Sequence, residues 1–406
     1  MKATDTPVGF CPETWSFLNS TYALYVVNLN LTNIKFNHDT GSSANDAINI
    51  RQDYDHPYDI SNGEWVNGGT NIPVCYTTGK VVTIKARLTI QPATITSADV
   101  WAVSTGSGGS LGNVIKTNVT FAGGISSPEY VTFQVSGTTP NCIQKTTNDV
   151  WQWKMGNIGG TGSAECNLNS SGPHTVYTIL NEPVTPWDNT VASQKNAWKT
   201  ALDLVCASSP WAGGEISVTG AASRITGAIN GSGRFKYDIG SGAAKYLDGG
   251  NLKFSECILR LNGGFGAGEL VNCTDCGNFV TTFANLVGGE LYSSKMGWHF
   301  NTNPYTAIGR PAWTPPSWGW GFSYHEVGWA GSCGDGDTIF DPCLKVDGNG
   351  DPSADPRTEL LPTGMIFSDG NQGAPYVYRE SLAAPGAAGY GVCVAQPSSK
   401  QRRPIK

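Results

Sequence analysis

The sequence has little charge and no long hydrophobic run, and both absences exclude partners. Only 14% of its 406 residues are Asp, Glu, Lys or Arg, and the formal net charge is -6. A weakly acidic chain is not attracted to phosphate backbones or anionic lipid, so we expect no nucleic-acid partner. No apolar stretch approaches the roughly 20 residues that cross a bilayer as a helix, so we expect no membrane insertion.

The motifs that bind common cofactors are also missing. The glycines between residues 263 and 268 are not followed by G-K-[ST], which excludes a phosphate-binding loop. Nine residues separate Cys333 from Cys343, whereas the second pair of a zinc ribbon is C-x-x-C, so we expect no zinc site. The chain is therefore expected to work without a cofactor.

One short segment has the spacing of a calcium loop. Asp347, Asn349 and Asp351 follow the D-x-N-x-D pattern that begins such a loop. Pro352 stands where the loop requires glycine, and Glu359 falls one position late for the last ligand. We interpret the segment as a solvated turn, with calcium at these three residues as the alternative.

Glycine and cysteine are abundant instead. The 51 glycines, together with many Ser, Thr and Asn residues, favour short strands and frequent turns. The 11 cysteines are many for a cytosolic enzyme, and five disulfides plus one free thiol would account for the odd number. The residues from Met1 to Asp5 contain no signal-peptide core. We therefore expect a secreted, cell-surface or periplasmic protein whose export signal has been removed.

The first half of the chain has the pattern of a β-sandwich. Short runs of β-type residues alternate with clusters of Gly, Pro, Asn and Ser, and none of them carries an evident catalytic motif. We therefore predict an immunoglobulin-like β-sandwich over residues 1–182. The strand-like runs are residues 81–90, 100–104, 130–135 and 174–180.

The second half is predicted to be an α+β domain. Prolines in residues 181–187 indicate a stiff linker before it. Beyond the linker, apolar residues at helical spacing predict a helix that begins near Thr190, and a later helix and hairpin complete the domain. We place this domain at residues 187–395 and expect the polar tail, residues 396–406, to be disordered.

A cysteine at a helix start is the main chemical signal in the second half. Asn272 is a good N-cap and Asp275 can complete a capping box, so Cys273 becomes the first helical residue. Backbone N–H groups and the positive end of the helix dipole favour a thiolate there, and the same groups can bind an oxyanion. A stripe of apolar residues continues the helix, and Gly288 and Gly289 end it.

The segment downstream supplies a base and an acid. Residues 322–329 and 338–344 have the composition of strands joined by a loop, which predicts a β-hairpin. If the hairpin is symmetric about the centre of its loop, His325 lies directly opposite Asp341, with Cβ atoms roughly 5 Å apart. The carboxylate would then orient the imidazole. We expect the helix that begins at Cys273 to pack on the strand face that carries His325.

Together these residues resemble the transglutaminase-like superfamily of papain-type thiol enzymes. The order Cys273, His325, Asp341 matches that family, the letters C-T-D-C-G are similar to its C-x-D-x-A helix start, and F-D-P is similar to its hydrophobic-D-P strand. Gly277 replaces the alanine. The resemblance covers roughly residues 190–345. It implies a transglutaminase-like α+β fold and acyl transfer from amide bonds of proteins or peptides, with Cys273 as nucleophile, His325 as base and acid, and Asp341 as orienter.

Alternatives stay open for individual residues. Cys276 is the second cysteine of a C-x-x-C-x-x-aromatic pattern, which would make it the nucleophile in place of Cys273. His299 is the competing base, although no acid stands at a comparable strand spacing. Three tryptophans either form a wall of the site or belong to the core: Trp318, Trp320 and Trp329.

Two other classes of function fit the same residues. An exported binding or structural protein could carry a catalytically inactive transglutaminase-like fold. A thiol-disulfide oxidoreductase would also place C-x-x-C at a helix start. A structure with His325 far from both sulfurs would favour the binding protein, and a disulfide between Cys273 and Cys276 would favour the oxidoreductase.

Overall fold

The computed structural model describes residues 27–38, 46–107, 109–162, 164–188, 196–349, 351–352, 354–371 and 376–406. The chain divides into two compact units. Unit 1 contains the described residues up to Ile50 together with Tyr58–Thr178, and unit 2 contains Arg51–Pro57 and Ile179–Lys406. The division therefore falls just before the predicted linker, and a short early segment belongs to unit 2.

The predicted linker at residues 181–187 is a packed part of unit 2. The amide of Val184 donates a hydrogen bond to the carbonyl of Asn285, at 3.0 Å. The indole of Trp187 is buried and donates to the carbonyl of Thr282, at 2.9 Å. Burying so large a side chain fixes the segment against its neighbours, so the interpretation as a stiff linker before the second domain is wrong.

The strands through residue 179 are β1 Asn28–Lys35, β2 Ile50–Arg51, β3 Trp65–Val66, β4 Val74–Thr77, β5 Val81–Gln91, β6 Ser97–Ser104, β7 Val114–Ala122, β8 Ile125–Ser126, β9 Val131–Thr138, β10 Gln144–Gly156 and β11 Cys166–Ile179, with a short 3-10 helix at Ile158–Gly160. The later strands are β12 Ala197–Trp198, β13 Lys236–Tyr237, β14 Leu247–Asp248, β15 Asn251–Leu252, β16 Leu270–Val271, β17 Tyr292–Met296, β18 Phe300–Asn301, β19 Thr306–Ala307, β20 Gly321–Phe322, β21 His325–Trp329, β22 Thr338–Phe340, β23 Leu344–Asp347, β24 Glu359–Leu360, β25 Thr363–Ile366 and β26 Ala395–Gln401. The helices are α1 Lys199–Val205, α2 Val218–Gly231, α3 Phe254–Leu261, α4 Cys273–Leu286 and α5 Tyr378–Leu382.

Unit 1 is built from strands that bury alternate side chains. The strands hydrogen-bond in the order β3-β1-β5-β8-β7-β6-β10-β11-β4, and β9 pairs with β5 and β7. On β10, Trp151 and Trp153 lie two positions apart and are both fully buried, as the two-residue period of a strand requires. The strand-rich first half was predicted, and its immunoglobulin-like sandwich form stays a prediction. The buried positions of β5 are Val82, Ile84, Ala86, Leu88 and Ile90.

Unit 2 contains an antiparallel sheet with strand order β25-β22-β21-β17-β26. Helix α4 packs on β21 and β17, and α2 packs against α4. Helix α1 begins at Lys199; Thr190, where the sequence predicts a helix start, lies outside the described residues. Helices against an antiparallel sheet are compatible with the α+β class, and the transglutaminase-like form of this unit stays a prediction.

The polar tail, predicted to be disordered over residues 396–406, is ordered in unit 2. Its strand β26 pairs with β17. Lys400 and Arg402 lie over the ring of Tyr292, at 3.8 and 3.9 Å from the ring centroid. Ile405 is fully buried. The prediction was wrong because the partners of this segment lie about a hundred residues away and leave no local pattern in its sequence.

Candidate active site

Helix α4 begins at the predicted cysteine, and its start is held by a capping box. The side chain of Asn272 accepts a hydrogen bond from the amide of Asp275, at 3.0 Å, and the Asp275 carboxylate accepts from the amide of Asn272, at 3.1 Å. The same carboxylate accepts from the amides of Lys245 and Tyr246, both at 2.9 Å. Burial outweighs these bonds and raises the pKa of Asp275 to about 6. The prediction of Cys273 as first helical residue is confirmed.

His325 and Asp341 meet, although not in the predicted register. Gly328 pairs with Phe340 and Trp329 with Ile339, which is two residues away from a pairing of His325 with Asp341. A register shift of two residues leaves each side chain on the same face of the sheet, because side chains alternate between the two faces with a period of two. The ring nitrogen Nε2 of His325 therefore still lies 2.9 Å from Oδ2 of Asp341, and both side chains are fully buried.

The predicted second strand of the hairpin, residues 338–344, is interrupted at Asp341. Strand β22 ends at Phe340, and β23 starts at Leu344. Pro342 has no N–H to give to a strand ladder, and Oδ1 of Asp341 accepts the amide of Cys343 at 2.7 Å. The resulting turn fixes the carboxylate and leaves Oδ2 for the histidine.

Tyr378 is a member of this site that sequence reasoning missed. Its hydroxyl donates to Oδ2 of Asp341 at 2.6 Å, so the tyrosine and His325 share one carboxylate oxygen. The tyrosine is fully buried on α5. Only the tertiary fold brings residue 378 to residue 341, and no local motif marks it.

Cys273 lies close enough to His325 to influence the pKa of its imidazole. Burial alone would lower the pKa of His325, but the Asp341 carboxylate and the Cys273 sulfur outweigh burial and raise that pKa. Within the described residues, Nδ1 of His325 has no hydrogen-bond partner. Since Nε2 faces Asp341, Nδ1 is the nitrogen available to the thiol.

Cys273, and not Cys276, reaches an open cavity. Cys273 lines a cavity of about 390 Å³ together with Tyr237, Trp318 and Tyr324. Cys276 is fully buried, and burial raises the pKa of its thiol, which interacts with the thiol of Cys343. This placement favours Cys273 as the reactive thiol over the alternative Cys276.

Helix α4 covers the face of β21 opposite to the one predicted. Thr274 and Asn278 donate hydrogen bonds to the buried carboxylate of Glu326, at 3.0 and 3.1 Å. A Cβ at Gly328 would lie 2.8 Å from Val280, so the helix rests directly on this position. The prediction failed because it placed the helix on the face that carries His325, whereas donors on the helix satisfy the glutamate buried on the other face.

Gly277 allows this close approach of helix and strand. A Cβ built there would lie 3.0 Å from the carbonyl oxygen of Glu326 and 3.1 Å from Cα of Val327. Both neighbours are backbone atoms and cannot rotate away. The close contact explains why this chain has glycine where the resembling motif has alanine.

Comparisons with solved structures give several likenesses. The chain is similar to the crystal structure of red sea bream transglutaminase, with a TM-score of 0.36 and 11% sequence identity. The likeness covers 75% of this chain and 54% of that chain, so the chain spans about half the length of that protein. No family model matches the sequence, and no curated protein matches it.

The competing histidine and one tryptophan also belong to the cavity. His299 lines it, is exposed, and has φ of 48°. Trp318 lines the cavity and is 41% exposed. Trp320 is half-buried and packs on Tyr305, whereas Trp329 is fully buried against Phe367 and belongs to the core.

The predicted framework of five disulfides is wrong for the described residues. Cys273 and Cys276 are free although they lie one helical turn apart, because one borders the cavity and the other contacts Cys343. This geometry gives no support to an oxidoreductase pair. Cys11 lies outside the described residues. Free thiols include Cys142, Cys257, Cys273, Cys276, Cys333, Cys343 and Cys393.

The oxygens of the calcium-like segment are directed at the backbone. Oδ1 of Asp347 accepts the amides of Asn349 and Thr358, at 3.3 and 2.9 Å. Oδ1 of Asn349 accepts the amide of Asp351, at 3.0 Å. Among the described residues, no group of three or more His, Cys, Asp or Glu side chains is placed to hold a metal, and no helix is long and apolar enough to cross a membrane. Calcium at Asp347, Asn349 and Asp351 stays the alternative to a solvated turn.

Proposed function

We propose that unit 2 is a thiol acyl hydrolase or acyltransferase that acts on amide bonds of proteins or peptides. Cys273 is the nucleophile, His325 the base and acid, and Asp341 the orienter. One observation carries the proposal: a buried histidine is hydrogen-bonded to a carboxylate through Nε2, and a cysteine that opens a helix lies close enough to raise the pKa of that histidine.

The hydrogen bonds define the tautomer that the reaction needs. A carboxylate only accepts, so Nε2 of His325 carries the proton in its bond to Asp341 and Nδ1 has a free lone pair. Nδ1 takes the thiol proton of Cys273, and the raised pKa of the imidazole favours this transfer. Tyr378 and the Cys343 amide hold Asp341 in place during the exchange.

The acyl transfer then follows from the position of the sulfur. The thiolate attacks the amide carbonyl carbon, and backbone N–H groups at the start of α4 stabilise the oxyanion. The C–N bond breaks, and the departing nitrogen takes the proton from the His325 imidazolium. Water or an amine then attacks the thioester carbon and gives a proton to His325. The C–S bond breaks, which frees the acyl product and returns the sulfur of Cys273 as a thiolate.

The cavity favours an uncharged acyl donor. Its described lining contains no Asp, Glu, Lys or Arg side chain, and combines aromatic rings with hydroxyl and amide groups. Burying an unpaired charge in such a cavity would be costly, whereas a peptide amide can exchange its hydrogen bonds with the lining. Among the lining residues are Tyr237, Asn272, His299, Asn301, Trp318 and Ser323.

Acylation by a small activated ester tests the proposal. The protein is treated with N-acetylglycine p-nitrophenyl ester, quenched in acid, and the acylated cysteine is located by peptide mass mapping. We expect the acyl group on Cys273, formation at least about a hundredfold slower in His325→Ala, and a smaller loss in Asp341→Asn. Cys276→Ser is the matched control, and it should still be acylated at Cys273.

Three results would overturn the proposal. An acyl group found on Cys276 alone would transfer the nucleophile's role to that residue. No acylated cysteine in the native protein, or equal rates with and without His325, would leave the exported binding protein as the better interpretation.

A further inference from the structure

A polar chain links a buried carboxylate to the wall of the cavity. The hydroxyl of Thr274 donates to Oε2 of Glu326, at 3.0 Å, and lies 3.1 Å from the hydroxyl of Tyr324. Thr274 and Glu326 are buried, whereas Tyr324 is partly exposed and lines the cavity beside Cys273. The chain therefore ends next to the proposed nucleophile.

Glu326 is held as a hydrogen-bond acceptor. Its Oε1 accepts from the side chains of Asn278, Ser293 and Gln401, at 3.1, 2.9 and 3.3 Å. Arg403 forms an ion pair with the same oxygen, at 3.9 Å. A carboxylate surrounded by donors has no proton to give to Thr274.

The direction of the hydrogen bond between Thr274 and Tyr324 follows from the number of protons that the two hydroxyls carry. Thr274 has one hydroxyl proton, and Glu326 takes it. Thr274 can therefore only accept from Tyr324, so the phenol proton points away from the cavity. Burial raises the pKa of Tyr324, so the phenol keeps this proton. Among the described residues no group donates to the phenol oxygen, so its remaining lone pair makes Tyr324 an acceptor.

Resting on the proposed function, we infer that Tyr324 selects acyl donors with an N–H leaving group, by accepting a hydrogen bond from the departing amide nitrogen. An amide offers this N–H and an ester does not. In the reaction, the C–N bond breaks, its electron pair goes to nitrogen, and nitrogen takes the proton from the His325 imidazolium. Tyr324 holds the nitrogen's other N–H throughout and gains or loses no proton. Thr274 and Glu326 are positioning residues that fix the orientation of the phenol.

A pair of acyl donors that differ in one atom tests this role. N-acetylglycine p-nitroanilide has an N–H leaving group, and the matching p-nitrophenyl ester has oxygen there. The ratio of kcat/KM for the anilide to that for the ester is measured in the native protein and in variants, with the Cys273→Ala rate subtracted. We expect Tyr324→Phe to lower the ratio about threefold to tenfold, the loss of one net hydrogen bond.

Two substitutions of Thr274 distinguish this role of Tyr324 from a merely structural one. Thr274→Val removes the acceptor for the phenol proton, so the ratio should fall as in Tyr324→Phe. Thr274→Ser keeps the hydroxyl and should retain the native ratio. An unchanged ratio in Tyr324→Phe, or a native protein that uses the ester and not the anilide, overturns the inference. Failure of the ester to acylate Cys273 at all would instead overturn the proposed function.

Discussion

Replacing Gly277 with alanine tests whether the close approach of α4 to β21 determines the stability of unit 2. The added Cβ would lie 3.0 Å from the carbonyl oxygen of Glu326 and 3.1 Å from Cα of Val327. Overpacking of this kind typically costs about 1–3 kcal/mol. Alanine also favours a helix over glycine by about 1 kcal/mol. The two effects oppose each other, and we expect Gly277→Ala to destabilise unit 2 by about 1 kcal/mol.

Gly227 provides the matched control. It lies inside α2 of the same unit, and a Cβ there would meet no atom within 4 Å. Gly227→Ala has the helix-propensity gain without the contact, so it should stabilise the protein by about 1 kcal/mol. The difference between the two variants, about 2 kcal/mol, then isolates the cost of the contact.

Urea unfolding followed by tryptophan fluorescence gives the free energy of unfolding of both variants. The reasoning would be refuted if Gly277→Ala were as stabilising as Gly227→Ala. That result would mean that the helix can withdraw from the strand without cost. A slower iodoacetamide reaction of Cys273 in Gly277→Ala would show in addition that a shift of α4 moves the sulfur away from His325.

Three further predictions concern buried titratable groups. Burial lowers the pKa of His174 to about 3. The free energy of unfolding of unit 1 should therefore fall by up to about 5 kcal/mol as the pH falls from 6.5 to 3. His174→Phe should weaken this pH dependence in acid unfolding curves. Burial raises the pKa of Glu64 to about 7. The free energy of unfolding should therefore fall by about 3 kcal/mol as the pH rises from 4.5 to 7. Glu64→Gln should remove this pH dependence, and an unaltered pH dependence in that variant would contradict the prediction. Asp275→Asn replaces one of two accepting oxygens with a donor and leaves backbone amides unpaired. Urea unfolding should therefore show a free energy of unfolding that is lower by about 2–4 kcal/mol. An unchanged free energy of unfolding would mean that the capping box is dispensable.

The start of α4 could be predicted because its determinants lie within four residues. Asn272 and Asp275 form the capping box that their spacing indicates, and Cys273 follows from it. The meeting of His325 with Asp341 was also predictable, since alternation survives a register error of two residues. Local chemistry and strand periodicity are therefore sufficient to predict the start of α4 and the contact between His325 and Asp341.

Other features depend on contacts that no local pattern encodes. Tyr378 and the strand β26 reach their partners from distant parts of the chain. The face of β21 that α4 covers depends on Gly277 and on the burial of Glu326, which periodicity would assign to solvent. The linker prediction failed for the same reason, because the packing of Trp187 outweighs the proline composition around it.

The rate of iodoacetamide labelling at pH 6.5 tests most directly whether the reactivity of the Cys273 thiol depends on His325. Each labelled cysteine is located by peptide mass mapping. Because His325 takes the thiol proton, we expect the native protein to be labelled at Cys273 about tenfold or more faster than His325→Ala. Asp341→Asn should leave the thiol reactive, since it keeps both the sulfur and the ring. Equal rates at Cys273 in the native protein and His325→Ala, or labelling confined to Cys276, would contradict the assignment of these residues as a catalytic group.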